Sequence, residues 1–295
     1  MENEKTHKRF PFISGIFSLL LPGLGQLYNG QLRKGVIFFL SIIFIDFIFF
    51  LFSVFKSFPG LALYVVLEIF VRLFIIADAL YYSIKSENYV KQKYNNWKVY
   101  LAAVVFAWLF FTFFPIREII SLETSRVVSR SMQPTIQPED YVMIDEGAYN
   151  QDSPDYGDIV SFIDIRSGEI WAFRIVGLPG DTVQIQDEFV SINGNPPDIQ
   201  LLNPDAAHTY LYSESLPNDK VIYVYKFIIP DEGVVINTDK LFIPDDTYYV
   251  LGDNRSDAYD SRYIGLIDKN KIRGRLLYIY YSPDQDRIGI DLTTR

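Results

Sequence analysis

The sequence predicts a two-part protein, with N-terminal transmembrane α-helices followed by an all-β domain. Apolar residues make up 49% of the 295 positions, and they are concentrated in the first ~115 of them. After residue 127, short runs of alternating apolar and polar residues are separated by turn signals, as in β-strands. We therefore expect a membrane domain over residues 1–118 and an outer β domain over residues 119–295.

Three apolar segments are long enough, or nearly so, to cross a bilayer, which requires about 20 helical residues. They are residues 35–55, residues 60–84 and the shorter residues 99–115. An earlier apolar stretch, residues 10–30, contains LLLPGLGQLYNG, in which Pro22 and two glycines would break a helix. A broken hairpin that is bent or lies in the interface is expected there. No small-residue cleavage site follows it, so a cleaved signal peptide is not expected.

Basic residues predict the orientation of these spans, because cytoplasmic loops are enriched in Lys and Arg. They flank the broken hairpin and fill the loop between the second and third spans, at Lys5, Lys8, Arg9, Arg33, Lys34, Lys85, Lys91, Lys93 and Lys98. Three spans with a cytoplasmic N-terminus place the β domain outside.

Four charged residues fall inside the apolar segments, where a charge is costly. They are Asp46, Glu68, Arg72 and Asp78. Glu68 and Arg72 are four positions apart on one helical face and can pair. We interpret them as a structural pair, since no span carries the chain of polar residues that a transport pathway needs.

Composition excludes several functions. The net charge of −9 argues against nucleic-acid binding, which needs a basic surface. The absence of cysteine excludes disulfides, thiol nucleophiles and thiolate zinc sites. With His7 and His208 as the two histidines, no metal site is expected.

Seven runs in the second part of the chain read as strands: DYVMIDEGAY, GDIVSFIDI, EIWAFRIVGL, TVQIQDEFVSING, KVIYVYKFII, DTYYVLGDN and GRLLYIYYS. Asn193-Gly194 is a hairpin turn signal, and LPGD at residues 178–181 is a turn between two strands. Residues 198–219 are polar and irregular, so a surface excursion is expected there.

Four separated motifs carry the candidate chemistry: SRSMQPT (129–135), YGDIV (156–160), FRIVGLPGD (173–181) and GDNRSDAYDSR (252–262). Each alone is weak evidence. A serine before Met-X-Pro-Thr is usually a turn or strand-entry residue, and the other motifs are typical of polar loops and turns.

In this order, after apolar segments, the four motifs resemble the boxes of type I signal peptidases, which are membrane-bound Ser/Lys serine proteases. PGLGQLYNGQ followed by RKG is similar to an N-terminal membrane module of some members. The resemblance covers nearly all of the β domain. It implies a signal-peptidase-like β fold, no cofactor, and removal of signal peptides after small residues. It also implies a multi-pass protein of the bacterial cytoplasmic (inner) membrane, whose partners are membrane lipid and secretory precursor proteins.

The resemblance assigns roles to individual residues. Ser131 matches the nucleophile, and Ser129 matches a contributor to the oxyanion hole beside the Ser131 N–H. Met132 matches a residue that packs near the nucleophile at the membrane-facing edge. Asp260 and Arg262 match a charged pair that holds the last motif against the catalytic strands. The other matched positions, assigned to substrate binding or to structure, are Arg174, Asp253, Asn254, Arg255 and Ala258.

Two matched positions depart from the family together. A serine hydroxyl needs a base, and in this family a lysine with a pKa lowered by burial serves. Phe173 occupies the position of that lysine, and Ala258 that of the serine which hydrogen-bonds to it. Arg174 cannot replace the lysine, because it stays protonated and points to the other face of the strand. Arg130 also stays protonated. An apolar ring beside a removed hydroxyl is self-consistent, since no polar group is left unpaired.

Three hypotheses remain open. The chain is a working signal peptidase with a substitute base (Lys220, Lys226, Lys240 or His208), an impaired paralogue that binds exported peptides or assists an active signal peptidase, or a structural membrane protein. A substitute base must lie about 3 Å from the Ser131 hydroxyl. An impaired paralogue would keep an open groove beside Ser131 with Phe173 as its floor, and a structural protein would have the groove filled.

Overall fold

The computed structural model describes residues 6–7, 9–86, 89–90, 92–113, 121–163, 168, 170–186, 189–203, 209–227 and 237–294. The chain divides into two compact units, Met1–Ile120 and Ser121–Arg295. The first unit contains apolar helices and the second contains antiparallel sheets, which confirms the predicted fold class.

The helices of the first unit are α1 (Pro11–Leu20), α2 (Leu24–Tyr28), α3 (Leu32–Leu51), α4 (Phe58–Lys85) and α5 (Trp97–Phe113), and two short strands, β1 (Thr6–His7) and β2 (Tyr89–Val90), pair antiparallel. By length and composition α3 and α4 could cross a membrane, with mean hydropathies of 2.4 and 2.3. At 17 residues α5 is shorter, and the end of the segment predicted as the third span lies outside the described residues.

The broken hairpin is a helix–turn–helix whose small and polar residues are used in packing. Gly23 takes a left-handed conformation (φ 89°) between α1 and α2, and a Cβ there would lie 2.1 Å from the carbonyl oxygen of Gly35. Gln26 and Asn29 donate side-chain hydrogen bonds of 2.8 Å to carbonyl oxygens of α4. Glycine thus permits close approach of the chain, and the two amides attach α2 to α4.

The charged residues of the apolar helices have partners. Glu68 and Arg72 form the expected pair one turn apart, at 2.5 Å, which confirms that prediction. Asp78 pairs with Lys34 at 2.5 Å, and Asp46 accepts a hydrogen bond from a tyrosine hydroxyl at 2.9 Å.

The described strands of the second unit are β3 (Leu122–Arg126), β4 (Tyr141–Asp145), β5 (Ile159–Ile163), β6 (Ile170–Gly177), β7 (Thr182–Gln186), β8 (Phe189–Ile192), β9 (Ile199–Leu201), β10 (Thr209–Ser215), β11 (Val221–Phe227), β12 (Leu241–Phe242), β13 (Thr247–Leu251), β14 (Ile267–Asp268) and β15 (Ile272–Tyr281). A one-turn helix, α6 (Ser261–Ile264), follows β13.

Seven of these strands form one sheet in the order β14-β13-β6-β5-β15-β4-β3, and two smaller sheets have the orders β12-β7-β8 and β11-β10-β9. The described pairings are antiparallel. Because successive side chains of a strand face opposite sides, β6 contributes to two cores: Ile175 packs in one apolar cluster and Val176 in the other. The strand β6 therefore lies between the two cores of the β domain.

Both predicted turns are present, but neither connects two strands that pair with each other as a hairpin. The LPGD turn has Gly180 at φ 90° and leads from β6 in the large sheet to β7 in a small one. Asn193 and Gly194 both have positive φ, and the residues flanking them exchange backbone hydrogen bonds of 3.0 and 2.9 Å. Beyond the turn, β9 pairs with β10 instead of returning along β8.

The stretch at residues 198–219 contains β9 and β10, where an irregular excursion was expected. The sequence of β10, TYLYSES, gives only a weak strand signal. Most of its side chains are half-buried, so polar residues occur on both faces of the strand. Its strand conformation comes from pairing with β11 along seven residues.

Candidate active site

The loop that carries Ser131 follows β3 and is attached to the GDNR motif by backbone hydrogen bonds. The N–H of Asn254 donates to the carbonyl oxygen of Ser131 at 2.9 Å, and the Asn254 side-chain amide donates to that of Arg130 at 3.2 Å. The next residue, Met132, is 3% exposed and packs into the core. The structure thus brings the first and fourth motifs together.

Ser129 and Ser131 face each other across this loop. Their hydroxyl oxygens are 2.5 Å apart, and the backbone N–H of Ser131 donates to the Ser129 hydroxyl at 3.1 Å. Both groups that the resemblance assigns to the oxyanion hole therefore bond to each other in this structure. Rotation of the Ser129 side chain would free both donors for a substrate carbonyl.

Beside the two serines lies an open cleft of about 320 Å³. Most of its wall is apolar and comes from the Ser131 loop, β4, β6 and β15. The side chains closest to the chemistry are Ser129, Ser131, Trp171, Phe173, Asp257 and Tyr259. A filled groove, which the hypothesis of a purely structural protein requires, is not what the structure shows.

Phe173 is almost completely buried, at 3% exposure, and packs in an aromatic group. Its ring centroid lies 5.9 Å from that of Phe162 and 6.0 Å from that of Trp171, the latter edge to face. A Cβ built on Gly252 would lie 2.4 Å from the Ala258 Cβ, 2.5 Å from the Ser131 carbonyl oxygen and 3.4 Å from the Phe173 ring. Phe173 and Ala258, the two positions at which the resemblance predicts a departure, thus lie close to the Ser131 backbone, around a glycine that leaves no room for a side chain.

Arg174, the next residue of β6, points away from Phe173 into a buried ion pair. Its Nε and Nη2 donate to the two carboxylate oxygens of Asp253 at 2.8 and 2.6 Å, and its Nη1 donates to the carbonyl oxygen of Gly157 at 2.8 Å. Thr135 donates to the same carboxylate at 2.5 Å. We call Arg174, Asp253 and Thr135 the polar frame. It joins the first, third and fourth motifs and leaves Arg174 no part in the cleft.

Asp260 and Arg262 form a second buried pair, with the Arg262 Nε 2.8 Å from the carboxylate. The same carboxylate accepts the N–H of Gly252 at 2.9 Å. This pair therefore secures the segment that contacts both Ser131 and Phe173.

Arg255 pairs with Glu214 of β10 at 2.6 Å, and both side chains are buried. Burial raises the pKa of Glu214, and the Arg255 guanidinium opposes that rise. Sequence reasoning missed Glu214, because it lies in the stretch expected to be irregular. A single acidic residue within a weak strand pattern gives no signal of burial.

Three of the candidate substitute bases, Lys220, Lys226 and Lys240, are not among the residues that line the cleft. Lys220 donates to the carbonyl oxygen of Tyr156 at 3.0 Å and lies 3.6 Å from Asp158, and Lys226 lies 4.9 Å above the ring of Phe189. Lys240 is exposed and is not among the residues that line the cleft, and His208 lies outside the described residues. Among the described residues, the cleft wall contains no lysine or histidine. The positions of these three lysines do not support the hypothesis that one of them serves as the base.

A serine held by backbone hydrogen bonds at the edge of an open cleft is typical of serine hydrolases. Two helices long and apolar enough to cross a membrane precede it in the chain, so these features indicate a membrane-associated protein of the serine-hydrolase type. A family model described as "Signal peptidase, peptidase S26" matches residues 95–281. The chain belongs to this signal peptidase family.

Comparisons with individual proteins found the following similarities. A probable signal peptidase I-2 of Synechocystis sp. is 29% identical over 174 residues, 57% of this chain and 66% of the relative. The signal peptidase I of Rickettsia canadensis is 26% identical over 226 residues, 66% of this chain and 82% of the relative. A crystal structure of a signal peptidase I from Enterococcus faecalis V583 is 28% identical, covering 42% of this chain and 97% of that chain, with a TM-score of 0.29.

Proposed function

We propose that this protein binds secretory precursors in the Ser131 cleft as a signal peptidase I-type serine endopeptidase, and that it cleaves them after small residues with impaired turnover. The observation that supports this proposal is an open cleft in which the serine is retained while Phe173 and Ala258 stand beside it. We place the protein in the bacterial cytoplasmic membrane with its β domain outside, because lysines and arginines cluster in the loops assigned to the cytoplasm.

The size and surface of the cleft favour a short peptide segment with small side chains. At about 320 Å³ it is at the lower end of the range of ligand pockets, about 300–1,000 Å³. Its wall is largely apolar, with valine, isoleucine and leucine side chains from three strands. Such a surface accepts small apolar side chains and leaves the peptide backbone to be bound by the adjacent loop and strand edges.

Impaired turnover follows from the chemistry of the cleft. Phe173 accepts no proton, and general-base catalysis contributes roughly 10²–10⁴-fold to a rate. A lysine at this position would lie between Phe162 and Trp171, and desolvation there would lower its pKa toward the range of a useful base. A serine at position 258 would supply its hydrogen-bond partner. The site is therefore suited to a lysine that the chain does not have.

The test uses the full chain in lipid vesicles with a lipid-embedded precursor. Three proteins are compared: the wild type, Ser131→Ala, and Phe173→Lys combined with Ala258→Ser. We expect slow cleavage by the wild type, binding without cleavage by Ser131→Ala, and cleavage at least about 10²-fold faster by the double variant. Ala258→Ser alone is the matched control, since it adds the hydroxyl without the amine, and should not gain activity.

Two results would overturn the proposal. The first is failure of both the wild type and Ser131→Ala to bind the precursor. The second is wild-type cleavage as fast as that of the double variant. Binding by the wild type with no detectable cleavage would leave the peptide-binding role and favour assistance to an active signal peptidase.

A further inference from the structure

We propose that the carboxylate of Asp257 accepts the proton of Ser131 in the cleavage that this cleft performs. This inference rests on the function proposed above, because it assigns a base to the same site. Asp257 lies one position before Ala258, and the family resemblance assigns no role to it.

Asp257 is exposed and lines the same cleft as Ser131. Its backbone N–H donates to the carbonyl oxygen of Asn254 at 3.0 Å, and the N–H of Asn254 donates to that of Ser131 at 2.9 Å. Asn254 therefore links the backbone of Asp257 to that of Ser131. The segment between β13 and α6 therefore holds the backbone of Asp257 near the Ser131 loop.

The other titratable side chains of the described cleft wall are Arg126 and Tyr259. Arginine is always protonated, and Arg126 is already paired with Glu139 at 2.5 Å. A tyrosine hydroxyl is a proton donor at neutral pH. An ionised carboxylate is an acceptor, and no described side chain bonds to that of Asp257. Among the titratable side chains of the described cleft wall, Asp257 is therefore the one suited to accept a proton.

The proposed step balances without a cofactor. The proton of the Ser131 hydroxyl passes to a carboxylate oxygen of Asp257, directly or through one water. The serine oxygen forms a bond to the scissile carbonyl carbon, and the carbonyl electron pair moves to its oxygen. As the C–N bond breaks, the protonated Asp257 returns the proton to the leaving nitrogen. Water then attacks the acyl-serine, giving one proton to Asp257, which passes it to the serine oxygen as the ester bond breaks.

A carboxylate base fits the slow turnover proposed for the cleft. A carboxylate is a weaker base than a neutral amine, so proton transfer from an alcohol to it is less favourable. The proposal also predicts a dependence on position 173. In a chain that carries a lysine there, the amine takes the proton and Asp257 is no longer needed.

The experiment measures the effect of Asp257→Asn in two backgrounds, the wild type and the double variant Phe173→Lys with Ala258→Ser. Asparagine keeps the shape of the side chain and removes the proton acceptor. In the wild type we expect cleavage to fall at least about tenfold with precursor binding unchanged. In the double variant we expect a change of less than about twofold. Asp239→Asn, an exposed aspartate outside the cleft wall, is the control and should change neither rate.

The outcomes separate this inference from the proposed function. An equal loss in both backgrounds would assign Asp257 a structural role and overturn the inference. An unchanged wild-type rate, or a wild type that binds the precursor without cleaving it, would overturn it as well. Loss of precursor binding by the wild type itself would instead contradict the function proposed for the cleft.

Discussion

The two faces of β6 show opposite solutions to burial at the same place in the sheet. Phe173 faces the cleft and packs between Phe162 and Trp171. Arg174, the next residue, faces the other way and is 0% exposed, with its guanidinium bonded to Asp253. The buried side chain on the first face is apolar, and the one on the second face is charged and hydrogen-bonded. The two faces differ in what they do: one holds the Ser131 loop, and the other forms part of the cleft wall.

The face that holds the loop carries polar side chains that are bonded to one another. The polar frame connects Thr135, four residues after Ser131, to Asp253 in the GDNR motif. The face that borders the cleft carries the apolar side chain of Phe173, close to Ala258. Substitutions in the polar frame are therefore expected to change stability most, and substitutions in the cleft floor to change activity more than stability.

Removing the acid of the polar frame should have the largest effect on stability. Asp253→Ala leaves the buried Arg174 without its partner carboxylate, and we expect a loss of about 3–5 kcal/mol in the free energy of unfolding. Phe173→Leu, in the same strand as Arg174, should lower the free energy of unfolding by about 1–2 kcal/mol. It removes part of a buried side chain and leaves no buried charge without its partner. Denaturant titration of the full chain in detergent measures both. Equal losses would remove the distinction between the two faces.

Tyr278 on β15 tests the effect of burying an ionisable hydroxyl. Burial raises its pKa from 10.0 to about 12, so the folded state keeps a proton that the unfolded state loses. Its contribution to stability is present below pH 10 and lost as the pH rises toward about 12, a change of about 2–3 kcal/mol. Tyr278→Phe should flatten the alkaline decline in stability. Tyr281→Phe, at an exposed site on the same strand, should leave the decline as in the wild type.

Gly252 tests the contact between the Ser131 loop and the segment that carries Ala258. A Cβ there would overlap Ala258 and the Ser131 carbonyl oxygen, so Gly252→Ala should cost about 1–3 kcal/mol and weaken precursor binding. Gly180→Ala is the control: its φ of 90° is strained for alanine, at about 1 kcal/mol, but nothing lies within 4 Å of its Cβ position. It should leave precursor binding unchanged. Unaltered binding by Gly252→Ala would show that the Ser131 loop does not depend on this contact.

Much of the fold could be predicted because the relevant patterns are local. An apolar run of about 20 residues reports a helix in lipid, and an alternating run reports a strand, whatever surrounds them. The pairing of Glu68 with Arg72 follows from helical spacing alone, and the structure confirms it at 2.5 Å. The expectation for residues 198–219 was wrong where β9 and β10 lie, because their conformation depends on pairing with each other and with β11.

The site shows the same division. From the sequence alone came the serine and, through the family resemblance, the expectation that Phe173 and Ala258 occupy the positions of the lysine and its partner, since motif order carries that information. Only the tertiary structure decided that Arg174 bonds to Asp253 across 79 positions, that Glu214 pairs with Arg255, and that Asp257 rather than Lys220 lines the cleft. The reason is physical: a motif fixes which side chains are available, whereas the order of strands in the sheet decides which of them meet.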